Sequence, residues 1–301
     1  MSFRVQAPGK LMLTGSYVVL EGAPALVMAV DRYAIADGSV SDPAPSAEIA
    51  AAMTRAPKVE TSALYDWADS KSKLGLGSSA AALVAALGWE AADSGADLTA
   101  PGVRAALFEK ARAAHAKAQG GGSCVDIAAS VHGGLLDYRL TDVGPVARPI
   151  LVPPGLVVEA WFSGRSARTS DMRAQVDTLA ARDPATSRSI FADLRSAANG
   201  AATALAASDL GSFLRECRYA HVALTGLARA SAAPIIPEDA AMLDALAEQA
   251  GSVFLPSGAG GGDVFVHVGL EGAARPFVAE SERLGWKVVP LRIDQLGVSR
   301  Q

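Results

Sequence analysis

The feature that most constrains the fold is the run Lys73-Leu74-Gly75-Leu76-Gly77-Ser78-Ser79-Ala80-Ala81, in which glycines and serines lead straight into a proline-free apolar stretch over residues 79–93. Glycine lets the backbone turn sharply at a helix entrance without the steric penalty of a Cβ. The amides of the first helical turn then point outward, and the aligned peptide dipoles add partial positive charge there. The junction is therefore suited to negative charge. Ser78 and Ser79 carry hydroxyls that can cap the helix or reach a metal ion on a bound anion. A serine-capped helix after a flexible turn uses the same residues, and the Gly-Lys-Ser/Thr spacing of a P-loop is missing.

Composition narrows the setting. With 301 residues, half of them hydrophobic, the chain can bury a sizeable core and is expected to form two lobes, 1–154 and 155–301. The balance of 27 basic against 31 acidic residues excludes a broad nucleic-acid surface, so any phosphate site must be local. Cys124 and Cys217 fit neither a disulfide framework nor a paired zinc motif, and a reducing cytoplasm is the expected home. The opening residues lack a long apolar run and the most apolar later stretch is interrupted by Gly88 and Glu90, so neither a leader nor a membrane span is expected.

Strand-prone runs at 3–5, 10–14, 17–20 and 25–30 predict an opening meander with a turn at Glu21-Gly22. Residues 37–57 predict a loop or a short irregular excursion. Helices are expected over 79–93 and 101–119, a helical turn over 126–131, and a strand over 135–140. The second half predicts a strand at 156–162, helices at 171–182, 187–207, 210–230 and 238–250, and strands at 253–255 and 264–268 around a glycine-rich loop. A helix over 272–284 and a strand over 286–293 close it. The class is α+β.

Two further motifs accompany the first. Ala7-Pro8-Gly9-Lys10-Leu11-Met12-Leu13-Thr14-Gly15 stands near the start, and Leu255-Pro256-Ser257-Gly258-Ala259-Gly260-Gly261-Gly262-Asp263 near the end. With the Gly-Leu-Gly-Ser-Ser loop they resemble the three signature motifs of the GHMP kinases, in order. The segment Gly122-Ser123-Cys124-Val125-Asp126-Ile127-Ala128-Ala129, and Trp161-Phe162-Ser163-Gly164 leading to Ala167-Arg168-Thr169-Ser170-Asp171-Met172, resemble the bacterial phosphomevalonate kinase branch. Lys73 ahead of the glycine loop fits that branch as well.

This resemblance implies a two-lobed GHMP kinase fold. Its N-terminal lobe would be ribosomal protein S5 domain 2-like with a left-handed βαβ unit, its C-terminal lobe ferredoxin-like. It implies ATP and Mg²⁺ as cofactors and phosphomevalonate as the small-molecule substrate, in a monomer or homodimer with no nucleic-acid or membrane partner. Lys73, Gly75, Leu76, Gly77, Ser78, Ser79 and Ala80 would hold ATP, with Ser78 and Ser79 reaching the metal. Lys10 would bridge the transferring and accepting phosphates, and Asp126 would orient or deprotonate the acceptor. Ser123, Arg168, Ser170, Ser257, Gly258, Ala259, Gly260 and Gly261 would line the acceptor side.

Each residue also has a plainer reading. Lys10 fits a solvated strand edge, Lys73 a solvent-facing turn, and Asp126 a helix cap. Ser170 and Asp171 fit an N-cap pair as well as a substrate or metal contact. Arg165, Arg168 and Arg173 can clamp a phosphate and a carboxylate or simply edge a helix. His115, His132, His221 and His267 have no metal-ligand spacing. Ser16 replaces a glutamate common in relatives, which removes that carboxylate's contact.

Overall fold

The computed structural model describes residues 3–69, 72–165 and 169–301. Its elements run β1 (Arg4–Thr14), a 3₁₀ turn (Val18–Glu21), β2 (Ala25–Ser41), α1 (Ala47–Ala52), β3 (Pro57–Glu60), α2 (Ser78–Asp93), α3 (Pro101–Gln119), α4 (Val125–His132), β4 (Leu135–Thr141) and β5 (Gly144–Ile150). There follow β6 (Val157–Phe162), α5 (Thr169–Arg182), α6 (Pro184–Ala206), α7 (Leu210–Ser231), α8 (Glu238–Gln249), β7 (Val253–Pro256), β8 (Val264–Gly269), α9 (Arg275–Arg283), β9 (Lys287–Val289) and β10 (Ser299–Arg300). The α+β class expected from the sequence is what forms.

Two compact units emerge, and they interleave where the sequence predicts one boundary near residue 154. The first comprises Met1–Lys10, Val27–Leu136 and Arg292–Gln301; the second comprises Leu11–Leu26 and Asp137–Leu291. The physical reason is that β1, β2 and β4 each start in one unit and finish in the other, so no cut between elements separates them. One sheet has the order β10-β1-β2-β4-β5, with β3 paired to β2; the other has the order β7-β8-β6-β9.

β6, α8, β7, β8, α9 and β9 follow a β-α-β-β-α-β order with β6 between β8 and β9, all antiparallel, which is the ferredoxin-like arrangement. The long inserted helices α5, α6 and α7 lie between β6 and α8 in the chain. The sheet's core is aromatic: Phe254 meets Phe277 edge-on at 5.1 Å and Trp286 at 5.4 Å. Such pairs add about 0.5–1.5 kcal/mol each beyond the area they bury.

Four local expectations change. The β-prone run 17–20 does not extend a strand. Gly15, at φ 91°, packs so tightly that a Cβ would sit 2.3 Å from the Pro24 carbonyl, and the chain folds into a 3₁₀ turn that buries Val18 and Val19. Their β propensity yields to the turn between β1 and β2. Pro8-Gly9 does not break β1. Strand pairing with β10 covers only Val5 and Gln6, so the missing Pro8 amide costs no ladder bond there, and Lys10 N–H donates instead to Leu76 O at 2.9 Å. The 37–57 stretch holds the end of β2 and the Ser46-capped helix α1, and β3 begins at its last residue. β5 lies where no strand was predicted, its Pro145 and Pro149 having weakened the signal.

Candidate functional site

In the first unit, the glycine loop enters α2 with Gly77 as its N-cap residue, at φ 76°. A glycine cap has no side chain to turn back onto the helix amides, and the first turn carries no acidic residue. The end of α2 is thus built as a positive pole, with the Ser78 hydroxyl group buried and that of Ser79 half-buried beside it. Ala80 is buried in the core and can offer only its backbone.

Lys10 lies across this loop. Its Nζ donates to the Gly75 carbonyl at 3.0 Å, while its backbone is tied to Leu76. A Cβ on Gly77 would stand 3.2 Å from Lys10 Cγ and 3.4 Å from Asp126 Cβ. Gly77 is therefore the point where the lysine, the loop and the aspartate meet. Gly9 secures the same junction from below, since a Cβ there would come within 2.8 Å of the Leu76 carbonyl. Lys10 is half-buried, which contradicts the solvated-edge reading.

Asp126 sits in the first turn of α4, and its Oδ1 accepts from the Ile127 amide at 3.0 Å. Cys124, not Asp126, is the N-cap residue of α4, and Asp126 stands beside the Lys10–Gly77 contact. α4 is anchored by Ser130, whose hydroxyl donates to Pro8 O at 2.7 Å. The helix carrying Asp126 and the strand carrying Lys10 are thus pinned together about one helical turn from Asp126. Ser123 precedes α4 and is half-buried. Cys124 follows in the left-handed region at φ 57°, and burial, then the Asp126 charge, push its thiol up to about 11. Lys73 is exposed and joined to Tyr65 by a backbone bridge.

In the second unit the third motif forms a loop between β7 and β8. The Ser257 hydroxyl accepts from the Met12 amide at 2.8 Å, the Ala259 carbonyl accepts from the Tyr17 hydroxyl at 2.6 Å, and the Gly261 amide donates to Ile235 O at 3.0 Å. Alternate residues of the loop are pinned, and the glycines between them take positive φ: 127° at Gly258 and 84° at Gly260. The Gly261 amide, expected on the acceptor side, is committed to Ile235. Asp171 is exposed in the first turn of α5, and its neighbour Met172 belongs to the apolar cluster against which Tyr17 and Ala259 pack. Arg165 is engaged with Asp239 at 2.6 Å, and Arg173 faces Asp177 at 3.8 Å on an exposed helix edge. Arg168 and the Ser170 side chain lie outside the described residues.

Sequence reasoning missed Met12, Tyr17 and Ile235 as supports of the third loop. Tyr17 directly after Gly15-Ser16 was the signal available for one of them. Among the described residues no three His, Cys, Asp or Glu side chains group as a metal site, and no helix is long and apolar enough to cross a membrane. His221 and His267 face Asp244 and Glu159 at 3.1 and 3.2 Å.

No family model matches the chain. A phosphomevalonate kinase of Streptomyces sp. is 27% identical over 85% of this chain and 87% of its own. A Listeria innocua protein of known structure superposes with a TM-score of 0.85 at 21% identity, covering 99% of each chain. The Streptococcus pneumoniae phosphomevalonate kinase in complex with phosphomevalonate and AMPPNP superposes with a TM-score of 0.79 at 17% identity, over 96% of this chain and 99% of that one. The chain has the fold of the GHMP kinases and resembles, in sequence, a phosphomevalonate kinase of that superfamily.

Proposed function

We propose that this chain is an ATP-dependent small-molecule kinase whose acceptor is 5-phosphomevalonate. The observation that carries the proposal is the meeting of Lys10, the Gly75–Gly77 turn and Asp126 in one unit. Phosphoryl transfer asks little covalent chemistry of a protein. In-line positioning and positive charge on the transferring group supply most of the rate. The uncapped start of α2 suits the nucleotide's phosphates, and Lys10 suits the group in transit. Mg²⁺ brought on those phosphates would find the Ser78 and Ser79 hydroxyls; the ion neutralises charge on the phosphates when bound.

An acceptor phosphate oxygen attacks the γ-phosphorus, the bond to the β-bridging oxygen breaks, and ADP leaves. A phosphomonoester is already largely ionised near neutral pH, its second pKa lying at about 6. Asp126 then has orientation as its main task, through placement beside Lys10. The sequence match to a phosphomevalonate kinase supports this acceptor over others.

The test is ADP release by the purified protein with ATP and mevalonate, phosphomevalonate or homoserine. Turnover with phosphomevalonate is expected; robust turnover with mevalonate or homoserine alone would refute the choice of acceptor, and carbon dioxide release would point to a decarboxylase. Asp126→Asn is expected to lower kcat and Asp171→Asn to raise KM or do nothing.

A further inference from the structure

Tyr17 is built in a way its neighbours do not require. Its backbone lies at φ 68°, ψ −48°, and the Val18 amide donates to Ser16 O at 2.9 Å across it. That is a γ-turn of the positive-φ kind, rare for any residue and strained for one with a side chain. Strain of this size, about 1–3 kcal/mol, persists where surroundings over-determine it. Here the ring packs on the cluster of Val18, Ala23, Met172, Leu227 and Ile235, and the hydroxyl reaches Ala259 O at 2.6 Å. The strained turn aims the side chain at one peptide group of the third loop.

That peptide is the one most in need of a hold. In a planar trans peptide the carbonyl and the following amide point in opposite directions, so fixing Ala259 O fixes the Gly260 N–H on the far side. A peptide followed by glycine can otherwise flip at small cost, because glycine accepts either sign of φ. Gly260 cannot escape sideways: a Cβ there would be 2.3 Å from Ile235 O, and the next amide is bonded to that same carbonyl. On the neighbouring Gly258 a Cβ would meet nothing within 4 Å, so the loop has open space beside it. A backbone amide left exposed in such a turn can donate to an anion.

We propose that Tyr17 is a positioning residue that holds the Ala259–Gly260 peptide in one orientation, keeping the Gly260 amide as a donor to an anionic group of the acceptor. The acceptor's part in this rests on the functional reading above; the tyrosine's hold on the peptide does not. Burial raises the phenol's pKa above its ordinary value, so the hydroxyl remains a proton donor throughout the working pH range.

The test compares wild type with Tyr17→Phe, which keeps the ring and the turn and deletes the hydroxyl. KM for phosphomevalonate is expected to rise about tenfold, the loss of roughly one hydrogen bond, with KM for ATP within about twofold and the melting temperature nearly unchanged. Unchanged acceptor KM and kcat in Tyr17→Phe would overturn the proposal, as would equal losses for both substrates tracking a fall in melting temperature. If wild type turns over no acceptor, the functional reading fails alone, and the peptide is read directly. Labelling with carbonyl-¹³C alanine and ¹⁵N glycine marks Ala259–Gly260, with Ala250–Gly251 as an internal reference. A broadened or doubled Gly260 amide signal in Tyr17→Phe supports the hold, and a single unshifted signal overturns it.

Discussion

The two glycine loops solve the same backbone problem by different means. Gly75–Gly77 and Gly258–Gly261 both run through positive φ, yet the first is gripped by a charged side chain and the second by neutral pins. In the first, Lys10 Nζ sits on the Gly75 carbonyl and its stem fills the space where Gly77 lacks a Cβ. In the second, the Met12 amide, the Tyr17 hydroxyl and the Ile235 carbonyl hold residues 257, 259 and 261. The difference teaches that a glycine loop can carry its chemistry in the group that holds it or can leave its holders as scaffolding. On the proposed function Lys10 belongs to the first kind: a bound phosphate would replace its contact with Gly75.

Three measurements can break or sharpen that contrast. The largest effect is expected from Lys10→Ala, which should lower kcat by about a hundredfold or more, the usual cost of deleting one transition-state contact. Its melting temperature should stay close to wild type, because an exchangeable contact contributes little to folding. Near-normal turnover would remove Lys10 from the chemistry and make both loops scaffolding alone.

Ser257→Ala comes next and should show the reverse pattern. The Met12 amide loses its acceptor in a buried setting, at a cost of about 1–3 kcal/mol, so the melting temperature should drop by several degrees. Turnover at saturating substrates should fall far less than in Lys10→Ala. A hundredfold kcat loss at unchanged stability would place Ser257 among the reacting groups and erase the contrast.

The smallest effect concerns pH. His132 ends α4, the helix that begins beside Asp126, and residues 257–263 contain no histidine. Burial, then the Arg104 charge, holds the His132 pKa below its ordinary value. Its folded pKa is depressed, so between the two pKa values the unfolded chain binds the extra proton. Its stabilising contribution is complete above about pH 6.5 and shrinks as pH falls toward the folded pKa. Melting temperatures between pH 7.5 and 5.5 should decline by about a degree or two, and His132→Gln should flatten part of that decline. An unaltered slope in the variant would show that other groups govern the response.

Much was legible from residues alone. The helices α2, α3, α6, α7 and α8 followed from alanine-rich periodicity, with proline confined to the first residue of α3 and of α6. The ferredoxin-like order of the second unit was anticipated only through the family resemblance. The first cluster was half legible. Lys10 and Asp126 were named from their motifs, whereas their meeting at Gly77 depends on residues 67 and 49 positions away along the chain. Lys73 was named for its closeness in sequence to the loop, and its backbone pairs with Tyr65 just before the turn.

The sequence by itself determined where the backbone must turn: glycine is the residue that enters positive φ without penalty, so the loops and helix entrances are written locally. Only the tertiary structure decided what each turn faces. Val18 and Val19 coil into a 3₁₀ turn, Pro8 sits within a strand, and Tyr17 bends into a strained γ-turn to reach Ala259. Those outcomes are set by partners distant in sequence, whose burial and hydrogen bonds outweigh local preferences of a few tenths to about one kcal/mol.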